Sequence, residues 1–332
     1  MSRPGTLAAA LLLALATGLP AWAEGQRQVL QEDGRELEIT VSEAYSPAAR
    51  VTVMDWIQSI AGALRDVYGR WPRQRWAISV SPAAASASDP IPWAQVHRGE
   101  VDRVEFFTAP QASAAELKAA WTGYHELAHL LIPYRGWGDA WFNEGLASYY
   151  QNLLPARGGL IGEREMWQRL YDGFQRAMAD SDFDGQALGA VSEEMRRTGA
   201  FMRVYWSGAW YFLAADTRLR LQSGGRQSLD VALAELNACC ADARLSVPEI
   251  VRRLDDLNRV ILFQTLYHEV GTSTRLPPFE PIFASLGIDV VDGQIKLQQA
   301  GPGARLRRQL LQNTAGSPLT AGREVAPGAA YR

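Results

Sequence analysis

The sequence predicts an α+β fold in which a mixed α/β N-terminal lobe precedes a helical C-terminal lobe. Between residues 24 and 112, apolar and polar residues alternate at Glu36–Val41, Trp76–Val80 and Val101–Thr108, the period of half-buried strands. From Ala114 onward apolar residues recur at helical spacing instead. The chain has 332 residues, long enough for two lobes around a sizeable core.

In chain order, Met1–Ala23 has the make-up of an export signal. Arg3 supplies a positive start, Leu7–Leu19 an apolar centre, and Ala21-Trp22-Ala23 a small-x-small cleavage site before Glu24. No other stretch is long and apolar enough to span a bilayer. A periplasmic or secreted protein with no stable membrane span is therefore expected. In the first lobe (24–112), Val51–Tyr68 carries helical apolar spacing, Ser81-Pro82 ends the Trp76 strand, and residues 83–92 form a small, polar, proline-bearing loop.

The second lobe (113–300) opens with a helix predicted over Ala114–Ile132. Pro133 cannot continue it comfortably, the residues to Asp139 read as a loop, and Asp139 is a plausible N-cap for a helix through about Leu153. Glu163–Met178 is a further helix whose Trp167, Leu170, Tyr171 and Phe174 make a core stripe. Asp180, Asp182 and Asp184 lack the glycine and distal acid of a calcium loop, so Ser181–Gly185 is expected to be a solvated turn. Helices follow from Arg203 to about Leu221, from Ser228, and from Ser246, where Pro248 sits in the first turn. Residues 301–332, rich in Gly, Ala, Pro and Arg, read as a disordered tail.

The formal net charge is -3, without a clustered basic face, which excludes nucleic acid as an expected partner. The cysteines are the adjacent pair Cys239-Cys240. A vicinal disulfide is strained and rare, so buried thiols are the expectation.

The chemistry concentrates at His125-Glu126-Leu127-Ala128-His129. Residues four apart on a helix lie about 40° apart around the axis and roughly 6 Å along it, so both imidazoles can reach one metal ion. Glu126 projects near that face and suits a carboxylate that takes a proton from the attacking water. Leu127, Ala128, Leu130, Leu131 and Ile132 surround the pair with apolar residues, and buried imidazoles need partners. A hydrolytic zinc site has three protein ligands and one open position. Glu144, early in the next helix, can face back as the third, against the plain alternative of a helix-surface acid. Gly145 favours close packing there, and Ser148 could hydrogen-bond a ligand.

His125-Glu126-x-x-His129 followed by Trp141-Phe142-Asn143-Glu144-Gly145-Leu146-Ala147 resembles the gluzincin metallopeptidases. The likeness is to the aminopeptidase branch with its asparagine-glutamate-glycine motif, and to the glycyl aminopeptidase family. It implies a thermolysin-like two-lobe metallopeptidase fold, one Zn2+ held by His125, His129 and Glu144, Glu126 as catalytic base, and a peptide or protein substrate. The same resemblance covers Tyr205-x-x-Gly208 followed by Asp216-Thr217-Arg218, where a tyrosine fills the oxyanion role. Tyr205 is the candidate, with Tyr149, Tyr150 and Tyr211 as alternatives. A donor aimed at the oxyanion lowers the barrier by roughly a few kcal/mol. The resemblance further implies that an edge strand, assigned to Val101–Thr108, pairs with extended peptide.

Two departures stand out. Fourteen residues separate His129 from Glu144, a shorter loop than is typical of the aminopeptidase branch. The motif whose acid holds a substrate's free amine is missing, and the nearest acids, Glu100 and Glu105, read as exposed strand residues. Both leave zinc-dependent peptide hydrolysis in place while opening aminopeptidase specificity to question. They also admit an alternative from another class, a non-catalytic binding protein that retains a peptidase-like fold. His97 and His268 lack the second histidine a site would need.

Overall fold

An Asp-Gly pair begins the architecture. The computed structural model describes residues 25–136 and 138–312; the signal-like segment 1–23 and the tail from 313 onward lie outside them. Asp33 (φ 49°) and Gly34 (φ 71°) turn the chain left-handed, the geometry of a two-residue hairpin. They join strand β1 (Gly25–Glu32) to β2 (Arg35–Ser42). Helix α1 (Pro47–Tyr68), capped by the Ser46 hydroxyl, leads to β3 (Arg75–Pro82), β4 (Trp93–His97) and β5 (Asp102–Thr108). The five strands lie in the order β1-β2-β3-β5-β4, with parallel pairing of β2 to β3 and β3 to β5.

Register puts Ile39 opposite Ile78, and Ile78 opposite Val104, so one face of the sheet is apolar at its centre, with buried Asp102 and Thr108 at the two ends of β5. That face buries against Trp56, Ile57, Ile60 and Leu64 of α1, and Trp56 meets Phe106 edge-on at 5.1 Å between ring centroids. The other face carries Glu38, Thr40, Ser79, Arg103 and Glu105. Val101–Thr108 therefore does not form the edge. β5 lies between β3 and β4, and the outer strand beside the histidine helix is β4. The short run Trp93–His97 follows two prolines and carries too little apolar alternation to announce itself.

The expected single helix over Ala114–Ile132 is two helices, α2 (Ala114–Ala119) and α3 (Trp121–Ala128), followed by a 3-10 turn at His129–Leu131. Ala120, with ψ 127°, breaks them. Next come α4 (Ala140–Arg157), α5 (Glu163–Ala179), α6 (Leu188–Glu193), α7 (Met195–Thr198) and the long α8 (Phe201–Ser223). Asp139 starts α4 but gives no side-chain cap. Its carboxylate accepts from the Tyr267 hydroxyl at 3.0 Å, and Ser192 of α6 takes the Trp141 N–H at 2.9 Å.

Helices α9 (Leu229–Cys240), α10 (Val247–Asn258), α11 (Phe263–Gly271) and α12 (Glu280–Ser285) complete the helical part. Cys239 and Cys240 form a vicinal disulfide instead of two buried thiols; chain adjacency at the end of α9 holds their sulfurs together. A second Asp-Gly hairpin, β6 (Ile288–Val291) and β7 (Gln294–Leu297), turns at Asp292-Gly293. Residues 302–311 are not disordered: they form α13 (Pro302–Leu311), with Ala304, Leu306 and Leu310 buried. Arg307 anchors it through Glu163 at 2.5 Å and through the carbonyls of Leu286, Gly287 and Gln298. Composition concealed this helix because few residues hold it to the body, three apolar side chains and one buried guanidinium. Among the described residues no helix is long and apolar enough to cross a membrane.

Candidate metal centre

Helix α3 carries His125 on its last turn, and the 3-10 turn continues far enough to set His129 beside it. The ring centroids are 5.0 Å apart and the planes perpendicular. The carbonyls that end this segment, which have no partner within a helix, are taken by the first lobe. Arg98 donates to the His129 carbonyl, Tyr68 to that of Leu131 at 2.6 Å, and Arg73 to that of Ile132 at 2.6 Å. Leu245 adds an isolated parallel bridge to Tyr134 just beyond. The histidine segment is thus fixed at its C-terminal end by groups the motif does not contain.

Two glycines bring the acid in. Helices α4 and α8 cross at Gly145 and Gly208: a Cβ on Gly145 would lie 2.2 Å from the Gly208 backbone, and one on Gly208 1.9 Å from the Trp141 carbonyl oxygen. Any side chain there would push the helices apart. The crossing sets Glu144 of α4 and Tyr205 of α8 against the histidines. Glu144 Oε2 is 3.2 Å from His125 Nε2 and 3.7 Å from His129 Nε2. One ligand atom from each of His125, His129 and Glu144 lies within 4.8 Å of the others.

The donor set fits a divalent cation. Gln151 Oε1 accepts from His125 Nδ1 at 2.7 Å, which leaves Nε2 of a neutral ring as a lone pair facing the Glu144 carboxylate. Two acceptors 3.2 Å apart repel unless a proton or a metal ion lies between them. His129 Nδ1 is buried beside Asn143 with no well-formed hydrogen bond among the described residues. His–His–Glu with a mixed nitrogen and oxygen set is a zinc combination.

Without a cation the protons are shared unequally. Burial works to raise the pKa of Glu144, but His129, His125 and the Tyr205 hydroxyl outweigh it and bring it to about 2. Burial drives His129 itself down to about 4, with help from the charges of His125 and Arg98. His129 is therefore neutral at pH 7, and ionised Glu144 rests on His125 and Tyr205. Burial also opposes charge on His125, yet its bond to Glu144 raises its pKa overall. Glu126 stands outside the three-residue group. Burial lifts its pKa to about 7, opposed by His125 and reinforced by Glu144.

Tyr205 stacks on His125 at 5.8 Å between centroids, 16° from parallel, with its hydroxyl towards the Glu144 carboxylate. Burial first, and then the Glu144 charge, raise its pKa, so the hydroxyl keeps its proton. The other tyrosines are engaged elsewhere: Tyr149 with Asp216 at 2.9 Å, Tyr150 with Asp230 at 2.6 Å, and Tyr211 with the Phe263 carbonyl at 3.0 Å. Among the described residues Ser148 does not reach a histidine, and its buried hydroxyl has no partner. Gln151 makes that contact instead. Seven residues from Glu144 lies about 20° off its helical direction, against about 40° for Ser148 four residues on, so the spacing was available to find Gln151. Trp121, whose ring meets His125 edge-on at 5.4 Å, left no comparable signal. Glu105 pairs with His97 at 3.0 Å on the open face of the sheet, and Glu100 and His268 are exposed.

No protein-family model matches this chain, and no curated protein matches it in sequence. Solved structures do. An aminopeptidase N family protein from Idiomarina loihiensis superposes with a TM-score of 0.59 at 17% identity, covering 81% of this chain and 50% of that one. An M1 zinc metallopeptidase from Deinococcus radiodurans gives a TM-score of 0.48 at 17% identity, covering 76% of this chain and 52% of that one. The first likeness shows the fold, an α+β aminopeptidase-like architecture, in keeping with the gluzincin resemblance. The chain spans about half the length of the solved structures it matches.

Proposed function

We propose that this chain is a metal-dependent peptide hydrolase with one Zn2+ held by His125, His129 and Glu144. The observation that carries the reading is the convergence of those three ligand atoms within 4.8 Å of one another, with Glu126 following His125 in the chain and feeling the charges of His125 and Glu144. The fold shared with an aminopeptidase N family protein supports it. Bound at this group, the ion would supply Lewis-acid polarisation of a carbonyl and a lowered pKa, near ~7, for water.

The chain's own residues do the rest. Gln151 fixes the tautomer and direction of His125. Glu126, half-buried and titrating near neutrality, takes the proton of the attacking water and passes it to the leaving amine. The Tyr205 hydroxyl, released from Glu144, donates to the developing oxyanion. The outer edge of β4 offers unpaired backbone groups that a peptide in extended form can join. Export is part of the proposal, supported by the signal-like pattern of residues 1–23 and by the Cys239–Cys240 disulfide, which belongs in an oxidising compartment.

Metal analysis followed by a peptide-library digest, with and without chelator, tests the reading. Cleavage that chelation abolishes and zinc restores is the expected result. Glu126→Gln should retain metal and lose hydrolysis by about 10²–10⁴-fold, whereas His129→Ala should lose both. Full activity in Glu126→Gln would overturn the base assignment. Bound zinc with no cleavage of any library member would favour the non-catalytic binding protein. Release of the first residue alone would identify an aminopeptidase.

A further inference from the structure

Beside the metal centre lies a cavity of about 570 Å3, within the range of small-molecule clefts. It shares three walls with the centre. Gln151, Trp121 and Tyr205 line the cavity, and each also touches His125, by the 2.7 Å hydrogen bond, the edge contact and the ring stack. A group seated there is therefore adjacent to the reacting atoms. The remaining walls come from α5 and the start of α8.

They carry two arginines and one aspartate over aromatic rings. Arg169, Asp172 and Arg176 line the cavity from one face of α5, at i, i+3 and i+7. Arg169 is paired with Glu165 at 2.7 Å, and Asp172 accepts from Gln168 at 2.9 Å. Arg176 has no carboxylate within ion-pair distance among the described residues. Its guanidinium carbon lies 5.0 Å from the centre of the Trp206 ring, a cation–π contact that leaves its charge in place. Trp206 is itself wedged in position, since a Cβ on Gly173 of α5 would fall 2.2 Å from the indole. Ser148 adds a buried hydroxyl with no partner to the same wall.

We infer that this cavity is a substrate subsite for a carboxylate, held by Arg176 with Ser148 as a second donor. Its source is an acidic side chain next to the scissile bond or the free C-terminus of a short peptide. A planar guanidinium above an aromatic floor, with no carboxylate within ion-pair distance, suits a carboxylate. This inference rests on the peptidase reading above and names its specificity.

Matched peptides test it: one with Glu beside the cleaved bond, its Gln isostere, its Lys counterpart, and a short peptide as free acid or C-terminal amide. With the zinc-loaded protein, kcat/KM should be about fivefold higher for one carboxylate partner than for its neutral isostere. The Glu/Gln pair and the acid/amide pair tell which source the site uses. Arg176→Gln should bring that ratio towards one, and Arg176→Glu should turn the preference towards the Lys peptide. Binding of the same peptides, followed by the fluorescence of Trp121 and Trp206, gives a second readout that needs no turnover. Equal kcat/KM for carboxylate and isostere, or an unchanged ratio in Arg176→Gln, would overturn the subsite. Absence of cleavage with carboxylate-selective, Arg176-dependent binding would sink the peptidase reading and leave the subsite standing. Absence of both would sink the two together.

Discussion

Gln151 shows how much of the site depends on a residue that cannot touch a metal ion. Its carbonyl oxygen, 2.7 Å from His125 Nδ1, decides which imidazole nitrogen carries the proton and which faces Glu144. Gln151→Leu should keep the fold and weaken zinc affinity by about 10–100-fold; competition titration against a chromophoric chelator would measure it, and unchanged affinity would remove Gln151 from the centre. Tyr205 is a sharper case. Its hydroxyl is protonated across the working range and already points at the acid of the site. Tyr205→Phe should lower kcat by about 10²–10³-fold with a much smaller change in KM, and a loss confined to KM would mean that the residue only packs. His125, Glu126 and His129 were legible because their spacing fits a helix. Gln151 obeyed the same geometry but carried no motif to draw attention to it.

Crossing glycines are the decisive feature among the elements. Gly145 was readable as a packing glycine from its place in an otherwise strong helix. Its counterpart Gly208 lies sixty-three positions away, and nothing in the sequence says that the two meet. Gly208→Ala should destabilise the protein by about 3 kcal/mol or prevent folding, because the added carbon would collide with the Trp141 carbonyl oxygen. Thermal melts of that variant against Gly136→Ala, which meets no neighbouring atom and carries only the strain of its positive φ, separate collision from conformation. Similar costs would count against the crossing as the determinant. The hairpins tell the opposite story. Asp33-Gly34 and Asp292-Gly293 are strong local turn signals, yet of the four strands they join, alternation marks β2 alone, at Glu36–Val41.

Across the molecule, one buried acid ties the sheet to the helical part. Asp102 of β5, 4% exposed, pairs with Arg73 at 3.1 Å, Arg98 at 3.0 Å and Arg244 at 3.0 Å. Arg98 and Arg73 in turn hold the end of the histidine segment. Burial works to raise the pKa of Asp102, but Arg98, Arg73 and Arg244 outweigh it and lower it. A carboxylate depressed in the folded state adds stability that is fully present above its unfolded pKa, about 3.9, and is lost as pH falls through the folded value. Acid should therefore loosen the wild type below about pH 4 through this group. Asp102→Asn should be less stable at neutral pH by about 3–5 kcal/mol, since it leaves buried guanidinium charge unmatched, and should show a flatter acid limb in denaturant titrations. Identical pH profiles for the two proteins would rule the cluster out as the acid-sensitive tie.

The sequence alone determined the order of sheet and helices, the His125–His129 pair and the chemical types gathered around it, because helical period and apolar alternation are local properties of the chain. It did not reveal that β4 forms the sheet edge, that residues 302–311 fold onto the body, or that Cys239 and Cys240 join. Tertiary structure decided those, together with the meeting of Gly145 with Gly208 and of Asp102 with three arginines. Each such contact joins positions whose separation along the chain is set by packing, and packing has no fixed period to read.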